Sequence, residues 1–144
     1  MIRSAILLAA GRGQRQRPYT EGTPKPLLPV NGRPTLDFVL CAAARAGIER
    51  VCIVTNYLEE QIFQFAGDGA RWNLAVTFAH QATLRGNGDE LMSVPRPWLQ
   101  NEPVMVVATD YILDENALLE LVNAHETQGA DITIYNVYTA QVVG

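Results

Sequence analysis

The sequence predicts an α/β protein with a Rossmann-like, mostly parallel sheet and helices on both faces. Three observations carry this. The runs SAILL, VCIVT and VMVVA are apolar without alternation, as in strands buried on both faces. Segments between strands space their apolar residues at i, i+3, i+4 and i+7, the stripe of an amphipathic helix. The two kinds of segment alternate along the chain, as βαβ units require.

Ser4 to Leu8 is the first strand. The N-terminal MIRSAILLAAG superficially suggests a secretory signal, but its apolar core, Ala5 to Ala10, is shorter than the usual ~7–15 residues and charge follows at once. A long loop, Ala9 to Arg33, comes next, and a structureless stretch of that length inside a compact domain is usually functional. Pro34 opens a helix with the stripe Leu36, Val39, Leu40 and Ala43, and Gly47 ends it. Val51 to Thr55 is the second strand. Asn56 suits an N-cap with Glu59 at the capping-box position, and Leu58, Ile62 and Phe65 carry that helix to a Gly67-Asp68-Gly69 turn. Leu74 to Ala79 is the third strand, and Asp89 to Val94 a short helix stopped by Pro95. Val104 to Ala108 is the fourth strand. Asp114 suits the cap of a helix striped by Leu118, Leu121, Val122 and His125 and ended by Gly129. Ile132 to Tyr138 is read as a last strand.

The 144 residues are read as one domain, with 48% hydrophobic and 18% charged residues, an ordinary globular composition. No apolar run approaches the ~20 residues of a membrane span. Cys41 and Cys52 match no metal-ligand spacing and each lies in an apolar run, so both read as reduced core residues of a cytoplasmic protein. His80 and His125 are far apart in sequence and read as structural or exposed.

Charge is distributed unevenly. The net charge is −4. Residues 11 to 33 hold five cations, Arg12, Arg15, Arg17, Lys25 and Arg33, against Glu21 alone, a net of +4 that leaves −8 for the rest. Lys25, between two prolines, is the only lysine in the chain. One positive loop on a negative body suits a small anionic ligand and argues against a nucleic-acid track, which spreads its positive charge over a face. In a parallel sheet, ligands bind outside the carboxyl ends of the strands. The Gly-Arg loop, His80 with Gln81, and Asp110 all follow strands and are therefore predicted to share one edge.

Two familiar phosphate loops do not fit. There is no G-x-x-x-x-G-K-[ST], and Gly11-Arg12-Gly13 leads to Gln16 where a dinucleotide loop has its third glycine. The longer string is more specific. Ala9-Ala10-Gly11-x-Gly13-x-Arg15-x-x-Pro18-x-Thr20-x-x-x-Pro24-Lys25-x-Leu27-x-Pro29-Val30-x-Gly32-x-Pro34-x-Leu36 resembles the nucleotidyltransferases that join a nucleoside triphosphate to a sugar 1-phosphate. The resemblance continues through TNYLEEQI, VMVVATDYIL and GADITI.

This resemblance implies the nucleotide-diphospho-sugar transferase-like fold, a nucleoside triphosphate and a phosphorylated small-molecule acceptor as substrates, and Mg²⁺ as cofactor. It implies that Ala10, Gly11 and Gly13 bind nucleotide, that Arg15 and Lys25 neutralise the triphosphate as catalytic residues, that Gln81 and Gly86 contact the base, and that Asp110 holds the metal. The physical chemistry agrees. Glycines let backbone N–H groups approach phosphates, Arg15 can fork two oxygens, and Lys25 offers a movable point charge. Arg12 and Arg17 read equally well as solvated surface.

Some positions depart from the pattern. Gln14 stands where the family has Thr or Ser, Gln16 where it has Leu or Met, and Thr109-Asp110 replaces Gly-Asp. RGNGDELMS, residues 85 to 93, looks more like the R-G-N-G of inositol-phosphate and choline-phosphate cytidylyltransferases, which leaves base and acceptor open. The family's catalytic domain is considerably longer and carries a second metal carboxylate and an acceptor lysine beyond the part matched here. The chain is thus read as the nucleotide-binding part, active as a transferase when a homodimer completes the site, or a nucleotide-binding module without turnover.

Overall fold

The computed structural model describes residues 1–100 and 102–135. Strand β1 is Ser4–Leu8. Two single-turn 3₁₀ segments, Gln14–Gln16 and Lys25–Leu27, structure the loop after it, and a small hairpin of β2 (Pro29–Val30) and β3 (Arg33–Pro34) closes it. Helix α1 (Thr35–Arg45), β4 (Arg50–Thr55), α2 (Glu59–Ala66), β5 (Ala75–His80), α3 (Asn87–Met92), β6 (Val104–Ala108) and α4 (Ala117–Gln128) follow. The main sheet is parallel throughout, in the order β5-β4-β1-β6, with Leu8 paired to Val54 on one side and Ala108 on the other.

Both faces of the sheet are apolar because its strands are, and each face has its own cover. Ala5, Leu7, Val51, Ile53, Val76, Met105 and Val107 pack against Leu36, Val39 and Leu40 of α1, Ile62 of α2, and Leu118 and Val122 of α4. The alternate residues Ile6, Cys52, Val54 and Ala79 pack with Val94 and, at the margin, Leu91 and Trp98. Leu36, Leu40 and Ile53 are fully buried, and each such side chain contributes about 1.5–3 kcal/mol by leaving water. Cys52 sits inside the second core as a free thiol whose pKa burial pushes up, which fits a packing role. Cys41 is also free.

Four expectations need correction. The loop is not structureless: Val30-Asn31-Gly32-Arg33 is a tight hairpin with Asn31 at φ +51°, a turn that the Asn-Gly pair specifies. Asn56 does not cap α2. Its side-chain amide donates to the carbonyl of Gln81 at 2.7 Å, and Thr55 meets Glu59 instead. Asp114 does not cap α4 directly, because its carboxylate takes the N–H of Asn116 in the turn before the helix. Residues 132–135 form no strand: Ile132 and Ile134 share a groove with Val104 and Val106 of β6 but do not join its ladder; the remaining residues of that expectation, 136–138, lie outside the described residues.

Candidate functional site

All four parallel strands deliver their carboxyl ends to one edge, and the chain leaves β1 there. Ala9 still belongs to the ladder and donates to Val54 O at 3.0 Å. Ala10 does not. Its N–H goes to Oε1 of Glu90, eighty residues on, at 2.8 Å. Gly11 follows into open space, with no atom within 4 Å of where a Cβ would stand. Gly13 is different: its φ is +62°, and a Cβ would meet Thr20 Cγ2 at 2.8 Å and Lys25 Cβ at 3.2 Å. Gly13 is imposed by the packing of the loop on itself, whereas Gly11 leaves a clearing.

The loop is held from three directions. The buried Thr20 hydroxyl donates to Gly13 O at 2.7 Å. Tyr57 donates its hydroxyl to the carbonyls of Thr20 (2.9 Å) and Glu21 (3.2 Å). Gln61, on α2, donates to Gly22 O at 3.0 Å. The positive charges on the loop then divide. Arg33 is consumed structurally: it pairs with Asp37, donates to Cys41 Sγ at 3.0 Å and lies 4.1 Å over the Phe38 ring. The hydrogen bond to Asp37 raises its pKa above the ordinary guanidinium value. Arg12, Arg15 and Arg17 are exposed and make no ion pair among the described residues.

Lys25 opens a 3₁₀ turn after Pro24, and its Nζ donates to Oδ2 of Asp110 at 2.9 Å. Thr109 explains where that aspartate stands. Its N–H (3.3 Å) and its hydroxyl (2.8 Å) both go to Leu8 O, so the end of β6 is bolted to the end of β1. A glycine, the commoner residue in the resemblance, would supply only the first of these bonds. Asp110 comes next, with 38% of its side chain exposed.

The other end of the edge lies three strands away, about 14 Å at ~4.8 Å per strand. There stands Gln81, which the resemblance assigns to the base. It is 2% exposed. Its amide donates to Asp89 Oδ2 at 2.9 Å and to Gly86 O at 3.4 Å, holding the 82–86 loop onto α3. Gly86 is exposed and lies at φ +98°, ψ 180°, a conformation that side chains disfavour. His80 points elsewhere, to Glu59 at 2.9 Å, and His125 contacts Thr133.

The predicted residues therefore form two groups on one edge: Arg15, Lys25 and Asp110 around the loop, and Gln81 with Gly86 at the far side, with Ala10 between them. Sequence reasoning missed the groups that hold them. Tyr57 and Gln61 lie within TNYLEEQI, but nothing in their spacing says that they reach back to the loop. Glu90 carries no signal at all, because its partner is a backbone amide.

Among the described residues no group of three or more His, Cys, Asp or Glu side chains could enclose a metal. Asp110 stands as a single accessible carboxylate. That donor set fits Mg²⁺, which keeps its waters and takes one or two carboxylates plus substrate phosphates, and it does not fit a caged metal.

A parallel sheet with helices on both faces, whose carboxyl edge carries a Gly- and Arg-rich loop and a lysine–aspartate pair, defines a Rossmann-like α/β protein. The family model for nucleotidyl transferases matches residues 4–142, and the chain belongs to that family. It is 34% identical over 130 residues to a mannose-1-phosphate guanylyltransferase of Mycobacterium tuberculosis, covering 90% of this chain and 36% of that protein. A 2-aminoethylphosphonate cytidylyltransferase of Lancefieldella rimae is 50% identical over 58 residues, 40% of this chain and 24% of that protein. A solved UDP-glucose pyrophosphorylase, complexed with UDP-glucose, shares the fold at TM-score 0.75 and 20% identity over 90% of this chain and 55% of that one. The chain thus spans little more than a third of the guanylyltransferase's length.

Proposed function

We propose that this chain binds a nucleoside triphosphate along the carboxyl edge and supplies the nucleotide side of a transferase that moves a nucleoside monophosphate to a phosphomonoester, releasing pyrophosphate. The single observation that carries this reading is the Lys25–Asp110 pair at 2.9 Å beside a loop with three arginines that make no ion pair among the described residues. A cation and a carboxylate held together at a strand end are suited to trade each other for a polyphosphate and its metal.

In this reading the base and ribose lie between Gly86 and Ala10, Gly11 leaves room for the backbone to approach the phosphates, and Arg15 and Lys25 neutralise charge on them. Gly13 and Gln81 act through the loops that they shape. Mg²⁺ bound at Asp110 would supply Lewis-acid polarisation of the phosphates. The acceptor's own phosphate oxygen is the nucleophile. A phosphomonoester has a second pKa of about 6, so it arrives ionised and no general base is needed. The rate then comes from alignment and charge neutralisation.

A sugar 1-phosphate is the acceptor we favour. The RGNG stretch and the 50% identity to an aminoethylphosphonate cytidylyltransferase support a second reading, CTP with choline phosphate, inositol phosphate or a similar compact acceptor. We further propose that residues 1–144 form one nucleotide-binding domain and that a second copy completes the site in a homodimer. The free thiols Cys41 and Cys52 support a cytoplasmic setting, and among the described residues no helix is long and apolar enough to cross a membrane. Pyrophosphate release is the test, with ATP, CTP, GTP, UTP and dTTP each paired with sugar 1-phosphates, choline phosphate and inositol phosphate. Turnover with one pair supports the transferase. Binding without release from any pair leaves a nucleotide-binding module, and neither binding nor release overturns both.

A further inference from the structure

Glu90 is 5% exposed, sits on a six-residue helix and has no cationic partner among the described residues. A carboxylate in such a place costs free energy unless it does something an apolar residue cannot. Burial pushes its pKa up and the Asp110 charge adds to that, while the Ala9 and Ala10 amides oppose both. The same negative charge lies on the side of the molecule where the proposed ligand is itself an anion, so attraction for the ligand is not its use.

What Glu90 does is geometric. Ala9 N–H is the last backbone donor that β1 gives to the β4 ladder. Ala10 N–H is the first left without a strand partner, and Glu90 Oε1 takes it at 2.8 Å. The direction in which Gly11 leaves the sheet is set at that bond. The neighbouring Asp89 takes the Gln81 amide at 2.9 Å, so one turn of α3 grips both the phosphate-loop root and the 82–86 loop.

We infer that Glu90 is a positioning residue for nucleotide binding: through Ala10 it aims the Gly11–Gly13 loop, and the bond-accepting oxygen matters while the charge does not. This rests on the nucleotide reading above. It is tested by calorimetry with Mg²⁺ and each of ATP, CTP, GTP, UTP and dTTP, alongside hydrogen exchange at the Ala10 amide in the ligand-free chain. Glu90→Ala should weaken the best-bound triphosphate about five- to tenfold, the loss of one hydrogen bond, and speed exchange at Ala10. Glu90→Gln keeps an acceptor at the same reach and should restore both within about twofold. Glu90→Asp keeps the charge but is one methylene too short, and should resemble Glu90→Ala. That variant also serves if Glu90→Ala fails to fold. Equal affinity in wild type, Glu90→Asp and Glu90→Gln overturns the inference and leaves the nucleotide reading standing. So does a Glu90→Gln as weak as Glu90→Ala beside a Glu90→Asp that binds like the wild type, which would make charge the cause. A wild-type chain that binds none of the five triphosphates overturns the nucleotide reading, and the positioning role falls with it.

Discussion

Lys25 Nζ and Asp110 Oδ2 stand 2.9 Å apart across eighty-five residues of sequence. The two groups that the sequence assigns separately, one to phosphate and one to metal, are each other's partner in the structure. Each ligand then has to displace a partner. With Mg²⁺ absent, a triphosphate competes with Asp110 for the lysine. Asp110→Asn removes that competitor, so it should tighten or leave unchanged the metal-free binding of nucleotide, while abolishing the gain that Mg²⁺ gives the wild type. Lys25→Ala and Arg15→Ala should each weaken nucleotide binding, by about 1.5–3 kcal/mol before solvent screening lowers the figure. Calorimetry with and without Mg²⁺ measures all four proteins. A variant lacking Asp110 that still binds nucleotide in a Mg²⁺-dependent way would mean that another residue holds the metal.

The two loop glycines should separate stability from binding. Gly13→Ala places a Cβ 2.8 Å from Thr20 Cγ2 at φ +62°, and is expected to lower stability by about 1–3 kcal/mol. Gly11→Ala meets no atom within 4 Å and should leave the melting temperature where it was, while narrowing the approach to the phosphates and reducing nucleotide affinity. Thermal unfolding and calorimetry on both variants give the comparison. Equal melting losses in the two would count against the distinction.

These two pairs also mark what the sequence can and cannot say. The strands were legible because burial on both faces demands continuous apolar runs, and β6 falls on the residues read as strand, Val104–Ala108. The common edge was legible because parallel strands end on one side. The Lys25–Asp110 contact was not, since it depends on a loop whose path is set by Tyr57, Gln61 and Thr20 through backbone carbonyls. Any residue has a carbonyl, so such bonds leave no mark in the pattern. The burial of Gln81 was not legible for a related reason: nothing in the pattern shows that a neighbouring loop, here 82–86, folds over a polar residue at a strand end. Asn31-Gly32 carries a hairpin signal of its own, which the charge density of the surrounding stretch masks.

Glu90 gives a pH prediction with a definite sign. Burial raises its folded-state pKa above the ordinary glutamate value of about 4.3. The protonated form is favoured by folding, so its stability contribution is complete below that ordinary value and is lost as pH rises through the raised one. Glu90→Gln cannot ionise. The melting temperature of Glu90→Gln minus that of the wild type should therefore be smallest near pH 4 and grow toward neutrality. A difference that stays flat, or shrinks with rising pH, would show that the carboxyl is not penalised by burial.

Self-association is the last expectation, and the fold relocates it. Residues 132–135, read as part of a last strand, form none, and among the described residues the outer strands of the sheet are β5 and β6. β6 is the apolar one. Among the described residues its neighbour on one side is β1 and its other side has no strand, and Val106 is 44% exposed. A groove of about 760 Å³ runs beside it, lined by Val104, Val106, Leu118, Leu121, Ile132 and Ile134. An open ladder edge with an apolar flank is a template for another strand, and a two-fold axis lets the same surface serve both copies. The expected species is a dimer or larger at micromolar concentration in light scattering. Val106→Lys sets a charge on that flank, as natural edge strands do, and should shift the protein toward monomer without changing its melting temperature or its nucleotide affinity. Were wild type and Val106→Lys both monomeric across that range, β6 would not be a meeting surface. The acceptor-side groups would then have to come from somewhere other than a second copy.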